Sequence, residues 1–399
     1  MLDRVKRYAT KNKIIYSLIY CVYLCFEIFN KCMFYIMRIF PINKKKIVLC
    51  TVRGAKYGDN PLYISDELRK RNDRYEIVWL VKEELMLEKE EHLRFVKYGY
   101  WSEVYHLSTA KVWIDTNMKC CGTLKRKGQL YIQTWHGSYG IKKIGRDLGD
   151  RLPLIDRRYY NYNSKIIDLM VSNSKKTSEI YRRAFGYSGK MLEYGSPRND
   201  IFFRDNLANI NKVKKKFNVE EEKILLYAPT FRKGYKVNNF NLNYQNLIDI
   251  LEAKTKMTWI VLVRLHPYNL REAEVITYSN KVRNASYYSN MEDLLVASDI
   301  LITDYSSCMF DFVTTGKPCF LYATDVEEYR NDRDYYFDIR ELPFPLAENN
   351  KQLEQNILSF NEEIYRKKLN RLFEEVGLCE TGHASEAVVD YIEEWMREN

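Results

Sequence analysis

The stretch Trp259-Ile-Val-Leu-Val-Arg-Leu265 constrains the fold more than any other part of this chain, because an almost unbroken apolar run is stopped at once by His266 and Pro267. Residues 129–133, followed by Thr134-Trp-His-Gly137, repeat the arrangement. Apolar runs of this length suit parallel strands buried on both faces, although the same pattern also fits a buried helix. In open α/β sheets, ligands bind beyond the carboxyl ends of the strands, so His136 and His266 stand where a substrate would lie. Each could equally be a core or capping histidine. The chain has only five histidines, and two placed alike favour a cleft lined from two halves of one protein.

The rest of the chain supplies a matching rhythm. Strand-like segments at 46–51, 75–81, 111–115 and 129–133 alternate with helix-compatible stretches, beginning with a turn at 54–61 and a helix at 61–70. A second series runs through 223–228, 259–265, 300–303 and 320–322, and the charged stretch 203–222 lies between the two. This is the βαβ alternation of parallel sheets. A length of 399 residues exceeds what one core usually serves. The expectation is an N-terminal segment at 1–44 and two Rossmann-type domains at 45–205 and 206–399. Apolar residues at 46% and charged residues at 29% describe a globular chain. The 33 tyrosines have no specific explanation in the sequence.

A formal charge of +10 favours anionic partners: nucleic acid, phosphorylated metabolites or acidic lipid. The N-terminus narrows the choice. Lys6, Arg7, Lys11 and Lys13 precede an uncharged stretch at 14–26, after which Glu27, Lys31 and Arg38 interrupt the apolar pattern. The clean part is shorter than the roughly 20 residues a membrane span needs. No small-residue cleavage site follows, which argues against a signal peptide. The expectation is a helix lying in an anionic membrane surface, with a tilted span and a buried core helix as alternatives. Glu27 and Lys31, four residues apart, are spaced to pair. Nine cysteines form no Cys-x-x-Cys pair and no cluster with histidine, the usage of a reduced, cytoplasmic protein without structural zinc.

Three further segments carry chemistry. After the strand at 300–303, Asp304 and Tyr305 break the run, and Ser306 and Ser307 open a helix whose free N–H groups and hydroxyls make an anion site. Plain helix capping by Asp304 or Ser306 is the alternative. Gly195-Ser-Pro-Arg-Asn-Asp200 and Tyr227-Ala-Pro-Thr-Phe-Arg232 each place an arginine after a proline, and arginine matches phosphate oxygens bidentately. Either arginine could instead serve a surface ion pair. Lys142, Lys143 and Arg146 follow His136 closely and would attract an anionic substrate or form a solvated helix face.

In this order, these segments make the chain similar to the CDP-glycerol glycerophosphotransferase family, the teichoic acid glycerol-phosphate primases and polymerases and their capsule relatives. The matching stretches include Thr134-Trp-His-Gly137, Lys142-Lys-Ile-Gly-Arg-Asp147, residues 195–200, 226–232, 264–267 and 298–312, Gly316-Lys-Pro318 and residues 325–338. The resemblance covers about residues 45–390. It implies a GT-B-like pair of Rossmann-type domains with the site between them, on an enzyme at the cytoplasmic face of the membrane. The activity implied is transfer of glycerol phosphate from CDP-glycerol to a lipid-linked glycan or polyol-phosphate polymer, with release of CMP. His136 matches the family's catalytic base and His266 its second essential histidine. Donor binding falls to Arg198, Thr230, Arg232, Arg264, Asp304, Ser306 and Ser307, and acceptor binding to Gly137, Lys142 and Lys143. No cofactor, metal or nucleic-acid partner is expected.

Two departures stand out. Ser138-Tyr-Gly-Ile-Lys142 replaces the family's shorter Thr-Pro-Leu-Lys, which puts the acceptor side of the pocket in question. Thr381-Gly-His-Ala-Ser385 replaces Asp-Gly-Lys-Ala, and His383 receives no role. CDP-ribitol transfer, a GT-B nucleotide-sugar glycosyltransferase and a membrane-bound polymer-binding scaffold are the competing readings. Neither the polyol, the acceptor nor the oligomeric state is fixed by sequence.

Overall fold

The computed structural model describes residues 13–71, 74–82, 93–137, 140–231, 242–327 and 335–399. Its apolar runs pair into two sheets. In the first, β1 (Asn43–Cys50), β2 (Glu76–Val81), β3 (Leu93–Lys97), β4 (Ala110–Asp115), β5 (Leu130–Gln133), β6 (Leu169–Ser172) and β7 (Lys190–Glu193) lie in the order β3-β2-β1-β4-β5-β6-β7. In the second, β8 (Lys223–Tyr227), β9 (Trp259–Val263), β10 (Val282–Asn284), β11 (Ile300–Thr303), β12 (Cys319–Tyr322) and β13 (Leu346–Ala347) lie in the order β10-β9-β8-β11-β12-β13. All pairings are parallel. Each sheet reverses its strand order once, at β1/β4 and at β8/β11.

Sequence reading finds the central strands and passes over β3, β6, β7, β10 and β13. Four of these five are sheet edges. An edge strand is covered on fewer sides, so charge is tolerated in it, as in Leu93-Arg-Phe-Val-Lys97 and Lys190-Met-Leu-Glu193, and the continuous apolar signal is lost. Central strands such as β4 and β9 are buried at every residue.

The domain boundaries need one correction. The expected second domain, 206–399, does not keep its last helix: Ala384–Glu398 crosses back and sets Val388, Val389 and Ile392 into one core with Ile47, Leu49, Ile64 and Trp79 of the first domain. Burying each of those three side chains is worth about 1.5–3 kcal/mol, which outweighs any pull of chain order. The Asp200 carboxylate caps this helix, accepting from the N–H groups of Ala384 and Ser385 at 2.9 and 2.7 Å. The expected boundary stretch 203–222 contains a helix, Leu207–Lys216, whose Val213 belongs to the second domain's core.

The N-terminal helix, Lys13–Ile36, is docked along one stripe and bare along another. On the docked side the Tyr16 hydroxyl accepts from the Ile155 N–H at 3.2 Å, Phe34 enters the first domain's core, and Glu27 is buried between Lys31 at 2.8 Å and Arg158 at 2.7 Å. The sequence pairing of Glu27 with Lys31 is therefore present, with Arg158 as a third member. On the bare side Ile14, Leu18, Val22, Phe29 and Ile36 are all at least half exposed. The stretch Ile14–Ile39 is long and apolar enough to cross a membrane. Lys6, Arg7 and Lys11 lie outside the described residues.

Candidate active site

The loops leaving β5, β8, β9 and β11 meet at a cleft of about 370 Å³ between the two domains. His136, Gly137 and Lys142 line it from the first domain, and Thr230, His266, Ser306 and Ser307 from the second. A larger hollow of about 560 Å³, walled by Asp66, Arg69, Lys70 and Arg204, contains none of these groups.

His136 owes its position to a strained turn. Past the end of β5, Trp135 takes φ 54°, a left-handed conformation that non-glycine residues seldom adopt. The Gln133 side chain holds that turn by accepting from the Trp135 nitrogen at 2.8 Å. Three successive carbonyls are then pinned: Trp135 by Asn60 at 3.2 Å, His136 by Arg198 at 3.1 Å and Gly137 by Tyr181 at 2.8 Å. The Trp135 ring stacks on the imidazole at 4.3 Å. His136 Nδ1 lies 3.0 Å from the Thr116 carbonyl, which can only accept, so Nδ1 carries the proton and Nε2 keeps its lone pair. The ring opens onto the cleft while protein surrounds it elsewhere. Lost hydration lowers its pKa from the ordinary histidine value, against opposition from the Thr116 carbonyl and the Asp59 charge.

His266 has the opposite tautomer. Its Nδ1 accepts from the Tyr268 N–H at 3.2 Å, capping the turn Pro267–Asn269, so the proton sits on Nε2. Burial lowers its pKa too, assisted by the positive charges of Lys142 and Arg264. Lys142 belongs to the first domain, so its charge reaches His266 across the cleft. The two domains are latched beside it: Lys142 bridges to Tyr335, and the Tyr336 nitrogen donates to the Ile141 carbonyl at 2.7 Å. The Tyr336 hydroxyl donates to Asp147 at 2.6 Å.

The remaining expected site residues divide. Ser306 and Ser307 begin the short helix Cys308–Phe312, with Ser307 as its cap. Asp304 is buried and turned toward the protein: its carboxylate accepts from the Thr230 nitrogen at 2.8 Å, the Tyr305 nitrogen at 2.6 Å and the Thr230 hydroxyl. It shapes the loop that Thr230 and Ser306 occupy and is outside the cleft lining, its Oδ1 taken by two backbone N–H groups and the Thr230 hydroxyl. Lys143 is half-buried and outside the cleft lining. Arg264 is half-buried behind the site, with one guanidinium nitrogen, Nη1, buried and without a hydrogen-bond partner. Arg232 lies outside the described residues.

Arg198 needs correction as a phosphate ligand. Its guanidinium is buried between Asp59 at 2.9 Å and Asp311 at 3.0 Å while also holding the His136 carbonyl. Two carboxylates already occupy the fork that a phosphate would need. Asp59 belongs to the first domain and Asp311 to the helix that starts at Ser307, so Arg198 ties the loop of one histidine to the anion-site helix of the other domain. Asn199 extends the tie, donating to Asp311 at 3.1 Å and Glu380 at 2.7 Å. Burial lifts the Glu380 carboxyl to about 8, so this contact is largely protonated near neutrality. Asp59, Asp311, Glu380 and Tyr336 escape sequence reading because nothing local marks them.

Facing Rossmann-type domains, a histidine from each in one cleft, and a hydroxyl-lined helix start beyond a reversed strand order together define a GT-B-like transferase. Among the described residues, no group of three or more His, Cys, Asp or Glu could hold a metal ion. The chain belongs to the CDP-glycerol:poly(glycerophosphate) glycerophosphotransferase family, whose sequence profile matches residues 32–394. That membership makes it a CDP-glycerol glycerophosphotransferase. Among its relatives, the teichoic acid poly(glycerol phosphate) polymerase of Bacillus spizizenii is 26% identical over 90% of this chain and 94% of its own length. The Staphylococcus aureus teichoic acid glycerol-phosphate transferase is 29% identical over 88% of this chain and 93% of its own. The chain spans 49% of the Bacillus subtilis polymerase. A variant of the wall teichoic acid polymerase TagF soaked with CDPG superposes with a TM-score of 0.79 at 26% identity, covering 90% of each chain. A UDP-N-acetylglucosamine 2-epimerase from Listeria monocytogenes, at TM-score 0.54 and 14% identity, shares the fold alone.

Proposed function

We propose that this enzyme moves glycerol phosphate from CDP-glycerol to a hydroxyl of a membrane-linked acceptor and releases CMP. The observation that carries the reading is the pair of opposite tautomers facing one cleft from different domains. The acceptor oxygen forms a bond to the β-phosphorus as the bond to the CMP oxygen breaks, and the acceptor proton passes to the free Nε2 of His136. A positioned base of this kind contributes about 10²–10⁴-fold. The Nε2–H of His266 donates to the phosphoryl or departing oxygen, where charge develops. Ser306, Ser307 and Thr230 receive the donor diphosphate, Arg264 supports it from behind, and Lys142 supplies charge from the acceptor side. Phosphoryl transfer is mostly positioning and electrostatics, which suits a site built this way.

The test is incubation with CDP-glycerol, CDP-ribitol and nucleotide sugars, identifying the released nucleotide by mass. CMP from CDP-glycerol is expected. Release of CDP or UDP instead would mean a sugar C–O bond is broken and the reading is wrong. In the same assay the double replacement Ser306→Ala and Ser307→Ala should weaken CDP by about tenfold and CMP less, since each lost bond to a charged oxygen is worth about 1.5–3 kcal/mol. Equal losses for both would put the β-phosphate elsewhere.

The bare apolar stripe of the N-terminal helix supports attachment to the cytoplasmic face of the membrane as a peripheral or monotopic protein. Lying flat fits better than crossing, because Glu27 is spent on docking to Arg158. Deleting residues 1–42 should release the protein into the soluble fraction, and intact protein should resist high salt alone because its contact is largely apolar. Complete release by salt would count against this contact.

A further inference from the structure

The donor groups of the second domain sit where its sheet reverses strand order, between the loops that leave β8 and β11. The first sheet has the equivalent place between the loops that leave β1 and β4, and open parallel sheets hold ligands at such points. The loop after β1 is strained there: Val52 and Arg53 take φ 48° and 52° in succession, and a β-branched residue avoids that region. Strain of this kind collects where a side chain must be aimed.

The strained turn is wired to the base. The Val52 nitrogen donates to the Thr116 hydroxyl at 3.0 Å, and the Thr116 carbonyl holds His136 Nδ1 at 3.0 Å. Arg53 therefore stands one residue from the contact that fixes the base. Its side chain keeps solvent-accessible surface, bonds the Tyr159 phenol and lies near Tyr98 and Cys120. Among the described residues it makes no ion pair, and Lys119 takes the neighbouring Asp115 carboxylate at 2.5 Å. Cys121 and Gly122, next along this wall, contact the N-terminal helix through Asn30 and Glu27. Arg53 thus neighbours Cys120, on the wall whose next residues meet the apolar helix, and follows directly after the residue bonded to Thr116.

We propose that Arg53 is the acceptor's anion subsite, binding a phosphate that the acceptor carries next to its attacking hydroxyl. This rests on the transferase reading and assigns that reading its acceptor chemistry. Its guanidinium would pair bidentately with the phosphate while His136 addresses the hydroxyl.

The test uses the full chain and two short synthetic lipid acceptors, one ending in glycerol phosphate and one in a neutral glycoside. Arg53→Asn removes the guanidinium with a residue that tolerates φ near 50°, and Arg53→Gly replaces it should the Asn variant fail to fold. The expected result is a tenfold or greater rise in KM for the phosphate-bearing acceptor, little change for the neutral one, unchanged CDP-glycerol affinity by calorimetry, and partial recovery in Arg53→Lys. Equal KM changes for the two acceptors, or none, would overturn the proposal. A direct arm reads binding of glycerol 3-phosphate by saturation-transfer NMR with CDP saturating the donor site. Loss of that signal in Arg53→Asn supports the subsite even if CDP-glycerol proves not to be the donor, and an unchanged signal overturns it.

Discussion

Replacing His136 with alanine should lower glycerol phosphate transfer by about 100-fold or more while CDP-glycerol still binds with near-normal affinity. The loss follows from the tautomer: with Nδ1–H committed to the Thr116 carbonyl, only Nε2 can take the acceptor's proton, and alanine offers nothing in its place. Donor affinity survives because the hydroxyls proposed to hold the diphosphate come from the other domain. The pH profile adds a sign. A base works when deprotonated, and burial lowers the His136 pKa from the ordinary histidine value, about 6.5, so the acid limb of kcat should fall below it. Near-normal turnover of the alanine variant, or an acid limb well above pH 7, would take proton transfer away from this residue.

Replacing Asp311 with alanine should destabilise the protein by about 3–5 kcal/mol, because it removes one partner of a buried ion pair and leaves the Arg198 charge only partly matched. Arg198, Asp59 and Asp311 are all at most 6% exposed, so water cannot take over the missing contact. Asn199 loses an acceptor at the same time. Urea denaturation reads the change as a shift in midpoint at constant slope. Asp311→Asn, which keeps an acceptor and drops the charge, should fall between the two. Because Arg198 also pins the His136 carbonyl, turnover should drop in the folded fraction of the alanine variant, although Asp311 touches no substrate in the proposed reaction. A cost below about 1 kcal/mol, the value of an exposed pair, would show that the triad does not lock the domains together.

Much of this site could be read in the chain. Residues 129–133 and 259–265 read as strands because their inner positions, 130–132 and 259–263, are continuously apolar, as burial on both faces favours. A polar residue stopping such a run then marks the carboxyl edge of a sheet, and so His136, His266 and the residues 304–307 come into view together. These are local signals, carried by neighbours in sequence. Arg198 shows where such signals end. A proline before an arginine says nothing about which anion the guanidinium will meet, and its partners lie 139 and 113 residues away. Asp304, expected among the donor-binding residues, shows the same limit: its Oδ1 goes to the backbone of Thr230 and Tyr305, which depends on where a loop 74 residues away comes to rest.

The alternation of parallel strands with helices, the histidines at the strand ends and the apolar N-terminal segment are legible in the chain, since each rests on periodicity and burial within one short segment. The tautomers of the two histidines, the use of Arg198 as a tie between domains and the return of the last helix to the first domain emerge from long-range packing. Each of those depends on which distant group donates, accepts or offers an apolar face, and folding alone brings such groups within reach.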